Sequence, residues 1–255
     1  MKAGVIIQAR VGSNRLPGKV LLKLADKTVL EHVILRAKKA EAVTEVIVAT
    51  TEKKGDDAVA DTAKSCGAKV YRGSEQDVLD RYFQAAKIFG FKDIIRITAD
   101  CPVIDPKLID KVVEKYFQTR ADYCSNTLVP TFPDGEDIEI FSFAALSKAW
   151  QEARLPSERE HVTPYLKKNK SLFKAVSFEA EPGYAGKRWT LDEDDDYRFL
   201  KNIFEELYSK DPFFGIQKIL DYLKRHPEVE AINSGIIRNA GYKRSLEEDK
   251  KFKHF

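Results

Sequence analysis

Two hydrophobic rhythms alternate along the first hundred positions. Ala3–Gln8 is an unbroken apolar run that ends on a polar residue, as a buried strand does. After the polar stretch 9–19, Leu30, Val33, Ile34 and Ala37 recur at helical spacing behind Thr28, which predicts a helix capped by that threonine. The β-branched run Glu45–Thr50 predicts a second strand. The pattern then predicts a helix over Asp56–Cys66 closed by Gly67, a short strand over Lys69–Arg72, and a helix over Asp77–Phe89 ended near Gly90. Asp93–Thr98 predicts another strand. Asp105 followed by Pro106 marks a cap and a first-turn proline for a helix to about Gln118. Strands alternating with helices of ten to fifteen residues imply an α/β fold: a mostly parallel central sheet flanked by helices.

The rhythm changes after position 120. Asp122–Ser125 and Glu136–Phe141 predict strands around the Pro/Gly-bearing loop Val129–Gly135. Helices are predicted over Ser142–Arg154, Glu158–Lys168, Asp194–Lys210 and Phe214–Arg225, and short strands over Phe173–Phe178 and Arg188–Leu191. From Ile232 the chain turns polar. We read 1–230 as one domain and 231–255 as a peripheral or docking tail.

Composition narrows the function classes. The 255 residues carry 43 basic and 40 acidic side chains, a formal net charge of +3, which gives no electrostatic argument for a nucleic-acid partner. The apolar run at Ala3–Ile7 is too short for a secretory or membrane segment, and no later run is long enough to span a bilayer. The three cysteines, Cys66, Cys101 and Cys124, form no CxxC pair. The expectation is a cytoplasmic protein with reduced thiols and no membrane or nucleic-acid partner.

The chemistry concentrates just beyond the first strand. Gln8-Ala9-Arg10-Val11-Gly12-Ser13-Asn14-Arg15-Leu16-Pro17-Gly18-Lys19 packs Arg10, Arg15 and Lys19 with two glycines and the Ser13 hydroxyl into twelve residues. Glycines such as Gly12 let a backbone approach its ligand, and successive N–H groups form anion nests. Guanidinium forks and an ammonium suit triphosphate oxygens. The Walker sequence GxxxxGK[ST] is absent.

IIQARVGSNRLPGKVL resembles the N-terminal signature of the CMP-sugar synthetases, the family of the CMP-KDO and CMP-acylneuraminate cytidylyltransferases. GSEQDVLDRY (Gly73–Tyr82), RITADCPVIDP (Arg96–Pro106) and SEREHVTPY (Ser157–Tyr165) are similar to its spore-coat polysaccharide biosynthesis SpsF-like branch, and the resemblance covers about residues 1–210. It implies a nucleotide-diphospho-sugar transferase type of fold (GT-A/Rossmann-like), CTP as donor, Mg²⁺ as cofactor, a small acidic sugar as acceptor and a homodimer. It implies that Arg10, Ser13, Arg15 and Lys19 bind the triphosphate and that the Ala9 backbone meets the cytosine. It also implies that the candidate small β arm, Asp122–Phe141, reaches a partner subunit. The family more often has proline where this chain has Gln8.

Three further clusters follow. Asp100 ends the strand DIIRIT, where a carboxylate can hold Mg²⁺, although an aspartate before a proline turn is also a common cap. The resemblance makes it a metal or ribose ligand, and makes Asp192, in Arg188–Asp196, the second metal ligand. Asp196 belongs near a helix start, where negative charge is favoured. The resemblance implies that the region of Arg72, Ser74, Asp77 and Arg81 helps hold the base and ribose; Arg72 and Ser74, in a turn, are the better candidates, whereas Asp77 and Arg81 can equally be a capped helix with an i,i+4 ion pair. Glu160 and His161 match a stretch that in relatives lies near the sugar, which makes them acceptor-binding candidates.

These readings combine into cytidylyl transfer from CTP to an acidic sugar, with Arg10, Lys19, Asp100 and Asp192 as the catalytic set. Two rivals differ in kind. A GT-A-type glycosyltransferase would use Asp194-Asp195-Asp196 as its metal motif, yet such a motif belongs mid-chain after a strand. A non-catalytic nucleotide-binding subunit would have no need of both the loop cations and the two aspartates.

Overall fold

The computed structural model describes residues 1–180 and 184–252; positions 253–255 of the expected tail lie outside them. β1 (Ala3–Gln8) is an interior strand of the main sheet, its first five residues buried. The ring of Phe91 packs where a Cβ at Gly4 would stand, 2.2 Å away, so this strand needs glycine there. A small ribbon, β2 (Lys23–Leu24) with β3 (Lys27–Thr28), leads into α1 (Val29–Lys39). Thr28 caps α1: its Oγ1 accepts from Glu31 N at 3.2 Å, and Glu31 Oε2 accepts from Thr28 N at 2.6 Å.

β4 (Val43–Thr51), α2 (Asp57–Ser65), β5 (Lys69–Gly73), α3 (Val78–Ile88), β6 (Asp93–Thr98) and α4 (Pro106–Thr119) complete the alternating half. Asp105 caps α4 through Lys107 N at 2.8 Å, with Pro106 in its first turn. The second half adds β7 (Tyr123–Ser125), β8 (Glu139–Ser142), α5 (Phe143–Glu152), α6 (Pro156–His161), α7 (Pro164–Lys168), β9 (Ala175–Ser177), α8 (Asp194–Leu207), α9 (Ile216–Arg225), α10 (Pro227–Ala231) and α11 (Ala240–Phe252).

The seven-stranded sheet runs β5-β4-β1-β6-β8-β7-β9. Only β8 is antiparallel to its neighbours. The chain moves from β1 outward to β4 and β5, then returns to the other side of β1 as β6. This reversal makes the β1/β6 junction a topological switch point, and ligands bind beyond the carboxyl ends of such strands. One apolar cluster joins the sheet to α1, α2 and α4; a second joins it to α3, α5 and Val162. A third surrounds Trp189 and the α8 stripe Phe199, Leu200, Ile203, Phe204 and Leu207, each such side chain contributing about 2 kcal/mol by burial.

The two strands expected within Asp122–Phe141 are β7 and β8, which pair with each other inside the main sheet, and Asn126 ties the intervening loop shut through Glu136 O and Ile138 N at 2.6 and 2.9 Å. Other elements differ from expectation. The single helix expected over Glu158–Lys168 is two, because Val162 takes φ 70 and Pro164 opens the next turn. Arg188–Leu191 is extended but makes only an isolated bridge, Asp134 with Arg188. Gly135 permits that crossing: at φ 108, a Cβ there would lie 2.6 Å from Thr190 N. The polar tail contains a full helix, α11, whose register of charged residues hides its two buried positions, Ser245 and Asp249.

Candidate functional site

A cleft of about 630 Å³ opens beyond the carboxyl ends of β1 and β6, within the usual range for small-molecule sites. Its floor is the polar loop that follows β1. That loop is fixed from outside: Val11 N donates to Asp56 Oδ1 at 2.6 Å, and Thr51 Oγ1 holds the other carboxylate oxygen. It is also fixed from within, by Ser13 N and Gly18 N donating to Val11 O at 2.8 and 3.0 Å. Gly18 takes φ 71, which glycine adopts without strain. Ser13 Oγ accepts from Leu16 N at 3.4 Å, so this hydroxyl helps shape the loop. Ala9, Arg10, Gly12, Ser13, Arg15 and Lys19 all line the cleft.

The three cations have different surroundings. Arg10 is the most open, with Glu75 Oε1 3.8 Å away. Arg15 reaches Asp192 Oδ2 at 2.9 Å and Glu193 Oε1 at 3.1 Å. Lys19, almost buried, donates to Asp100 Oδ2 at 2.6 Å, Asp192 Oδ1 at 2.7 Å and Leu191 O at 2.8 Å. Burial alone would lower the Lys19 pKa, but Asp100 and Asp192 outweigh it and raise it. Burial likewise opposes the charge on Asp192, yet Lys19, Arg15 and Arg188 bring its pKa down to about 2.

Asp100 and Asp192 thus converge on one cationic point from separate segments. Both offer hard oxygen donors, and no group of three or more His, Cys, Asp or Glu side chains forms a metal cluster among the described residues. A two-carboxylate set fits Mg²⁺, which keeps several waters and shares phosphate oxygens. Asp192 is positioned by a buried network. Arg188 grips Asp196 through Nε and Nη2 at 2.8 and 2.7 Å and donates to Asp192 Oδ2 at 3.1 Å. Asp196 Oδ2 also accepts from Asp192 N and Glu193 N at 2.9 and 3.1 Å, bending the chain into α8. Asp194 is exposed and Asp195 pairs with Arg198. None of Asp194–Asp196 lines the cleft, so this run does not form a glycosyltransferase-type metal motif there.

Two candidates stand elsewhere. Arg72 donates to Thr51 O, Lys53 O and Asp57 Oδ1, tying β5 to α2 outside the cleft. Ser74 Oγ accepts from Asp77 N at 3.0 Å, a turn bond at the start of α3, and also lies outside it. Their turn is near the site in sequence, but the guanidinium folds back over the sheet edge. Arg81, in contrast, is buried, lines the cleft and donates to Ser74 O at 2.9 Å. It does not pair with Asp77, which caps α3 through Asp80 N and binds Arg159 instead.

Glu160 and His161 line the cleft, and both contact Ser245 of α11. Burial brings the His161 pKa down to about 4 despite the Glu160 carboxylate. The sequence reading missed a polar wall beside them. Glu139 on β8 is fully buried and accepts from Arg96 at 2.6 Å, Tyr123 OH at 2.7 Å and Thr163 Oγ1 at 2.9 Å, with Lys167 2.6 Å away. Burial opposes its charge, but Lys167 and Arg96 hold its carboxyl well below the ordinary range. Charged residues facing inward on Arg96 and Glu139, within otherwise apolar strands, are the signal that could have revealed this wall.

Comparison with known proteins gives a consistent picture. The family model described as Cytidylyltransferase matches residues 4–230. An uncharacterized protein of Methanocaldococcus jannaschii is 42% identical over 253 residues, 97% of this chain and 100% of that protein. Spore coat polysaccharide biosynthesis protein SpsF of Bacillus subtilis is 29% identical over 229 residues, 88% of this chain and 94% of that one. The solved structure of a cytidylyltransferase from Leptospira borgpetersenii superposes with a TM-score of 0.86 at 38% identity, covering 93% of this chain and 100% of that one.

Proposed function

The chain belongs to the cytidylyltransferase family, and from that premise we propose that it transfers CMP from CTP to a hydroxyl of an acidic sugar, releasing pyrophosphate, in surface polysaccharide synthesis. One observation carries this reading: the loop cations Arg15 and Lys19 meet the carboxylates Asp100 and Asp192 in one cleft at the switch point, and Arg10 lines the same cleft. The acceptor oxygen attacks the α-phosphorus, the bond from that phosphorus to the bridging oxygen breaks with its electron pair leaving on pyrophosphate, and the acceptor hydroxyl's proton passes to solvent.

Arg10 and Arg15 bind the outgoing phosphates, where negative charge grows in the transition state. Lys19 joins them once its ammonium turns from the carboxylates to the phosphates. The Ala9 backbone borders the base, and Arg81, fixed on Ser74 O, is a further nucleotide candidate. Asp100 and Asp192 would hold Mg²⁺, which when bound neutralises phosphate charge and aligns the α-phosphate. Arg188 and Asp196 position Asp192. The wall around Glu139 fixes Arg96 and Lys167 beside the acceptor end. A homodimer and a cytoplasmic location, where CTP is at hand, belong to the same reading; among the described residues no helix is long and apolar enough to cross a membrane.

The test is pyrophosphate release with Mg²⁺ and each of the four nucleoside triphosphates. The acceptor panel is 3-deoxy-manno-octulosonate, N-acetylneuraminate, pseudaminate and legionaminate. CTP-dependent release that needs one of the acids and is lost in Asp100→Ala supports the reading. Release with another triphosphate alone reassigns the donor. Tight CTP binding without release from any pair rejects the transfer.

A further inference from the structure

The segment after residue 230 lies outside the stretch that the family model matches, yet it supplies Arg238, Tyr242, Arg244, Ser245 and Glu248 to the cleft. α11 is fastened to α6 by polar bonds. Ser157 donates through its N and Oγ to Asp249 Oδ1 and Oδ2 at 2.9 and 2.6 Å, with both residues buried. Ser245 Oγ donates to Glu160 Oε2 at 2.6 Å and lies 2.9 Å from His161 Nε2. The Tyr242 ring meets the His161 ring edge-on, with centroids 5.1 Å apart. Arg238 anchors the approach to the helix through Asp137 at 2.9 Å and Phe132 O at 3.1 Å.

This arrangement reverses the roles of two residues. Glu160 and His161, which the resemblance gives to the acceptor, direct polar atoms to Ser245 and hold α11 in place. The helix then presents its own groups. Arg244 is exposed and lines the cleft, and no carboxylate lies within ion-pair distance of it among the described residues. Glu248, one turn on, lines the cleft on the same side of the helix. The α6–α11 end stands by Arg96, Lys167 and Glu139, whose charges His161 feels, whereas the phosphate loop is tied to Asp56 and Asp192. A molecule whose triphosphate lies on the loop leaves the α11 end for the second substrate.

We propose that α11 is the acceptor-selecting wall of this cleft and that Arg244 receives the acceptor's carboxylate. The proposal rests on cytidylyl transfer to an acid as read above. A guanidinium fork matches a carboxylate in charge and in bidentate geometry. The acceptor panel is therefore filtered by residues beyond the shared family region.

The test compares wild type, Arg244→Gln and Arg244→Lys with CTP and each acid of the panel, offered as the free acid and as its amide. Because Arg244 is exposed, these variants are expected to fold, and a melting curve verifies it. Arg244→Gln should raise the acid's KM by roughly 10- to 100-fold, leave CTP affinity within about twofold, and abolish the preference for acid over amide. Arg244→Lys should keep part of that preference. An unchanged acid KM, an intact preference in Arg244→Gln, or a matching loss of CTP affinity overturns the inference while wild-type turnover stands. Wild type that releases no pyrophosphate with any acid removes the proposed function, and this inference with it.

Discussion

The Lys19 ammonium donates to Asp100 Oδ2 across 2.6 Å, joining the loop after β1 to the end of β6. Its other two contacts go to Asp192 Oδ1 and Leu191 O, so all three of its protons have protein acceptors. Lys19 therefore holds the two carboxylates together and has no proton to spare for a phosphate until it releases one of them. A divalent cation arriving between the carboxylates would compete with it. Lys19→Met should bind Mn²⁺ more tightly than wild type without nucleotide, as read by the spin resonance of free Mn²⁺. It should also lose about 2 kcal/mol of metal-free stability in urea. Equal or weaker Mn²⁺ binding would reject the competition.

Arg188 and Asp196 form a two-pronged pair with 6% and 0% side-chain exposure. Removing the cation leaves an unpaired carboxylate in the interior. Arg188→Met should cost about 3–5 kcal/mol in urea denaturation. Asn233 Nδ2 also donates to Asp196 Oδ1 at 2.9 Å, and a cost below about 1 kcal/mol would mean that Asp196 is held well enough by this amide and its backbone donors alone.

The pH dependence of folding has a definite sign at His161. Its pKa falls from 6.5 to about 4 because burial disfavours the imidazolium, with Glu160 acting in opposition. The folded chain thus binds this proton more weakly than the unfolded chain. The stabilisation is whole above about pH 6.5 and is lost as the pH falls from there through about 4. His32 carries a similar shift from burial and keeps its share of the slope. His161→Gln should flatten the melting temperature profile between pH 7 and 4 relative to wild type. Parallel profiles would contradict the assignment.

Arg72 provides a negative control for the site. Arg72→Ala should leave the CTP dissociation constant within about twofold, since its guanidinium faces Thr51, Lys53 and Asp57. Arg15→Ala should weaken CTP by roughly tenfold or more through loss of a charge-assisted contact. Calorimetric titration of both variants checks the contrast, and equal losses would put Arg72 back in the site.

The parts legible in the sequence are those set by local chemistry. Thr28 and Asp105 announce their helices as caps, and the run Ala3–Gln8 announces a buried strand. The β1 loop stands out because its cations and glycines are contiguous. The Glu139 wall was only partly legible: Arg96 and Glu139 mark charge within apolar strands, but sheet order alone brings those two together, and Lys167 joins them from a distant helix. Arg72 misled because sequence proximity to a turn does not fix where a long side chain folds. α11 was obscured by polarity: it docks through Ser245 and Asp249 rather than through an apolar stripe, so hydrophobic periodicity has nothing to register.

The contacts of Lys19 also set a timetable. Its partners stand 81 and 173 positions away along the chain. Closing loops of that length is slow compared with forming neighbouring helices and turns. The β1–β4–β6 sheet can assemble while residues 188–196 remain undocked, giving an intermediate with the phosphate loop but only one of the two aspartates. Refolding followed by backbone signals should therefore finish before activity returns, and the recovery of turnover would time the arrival of a single segment.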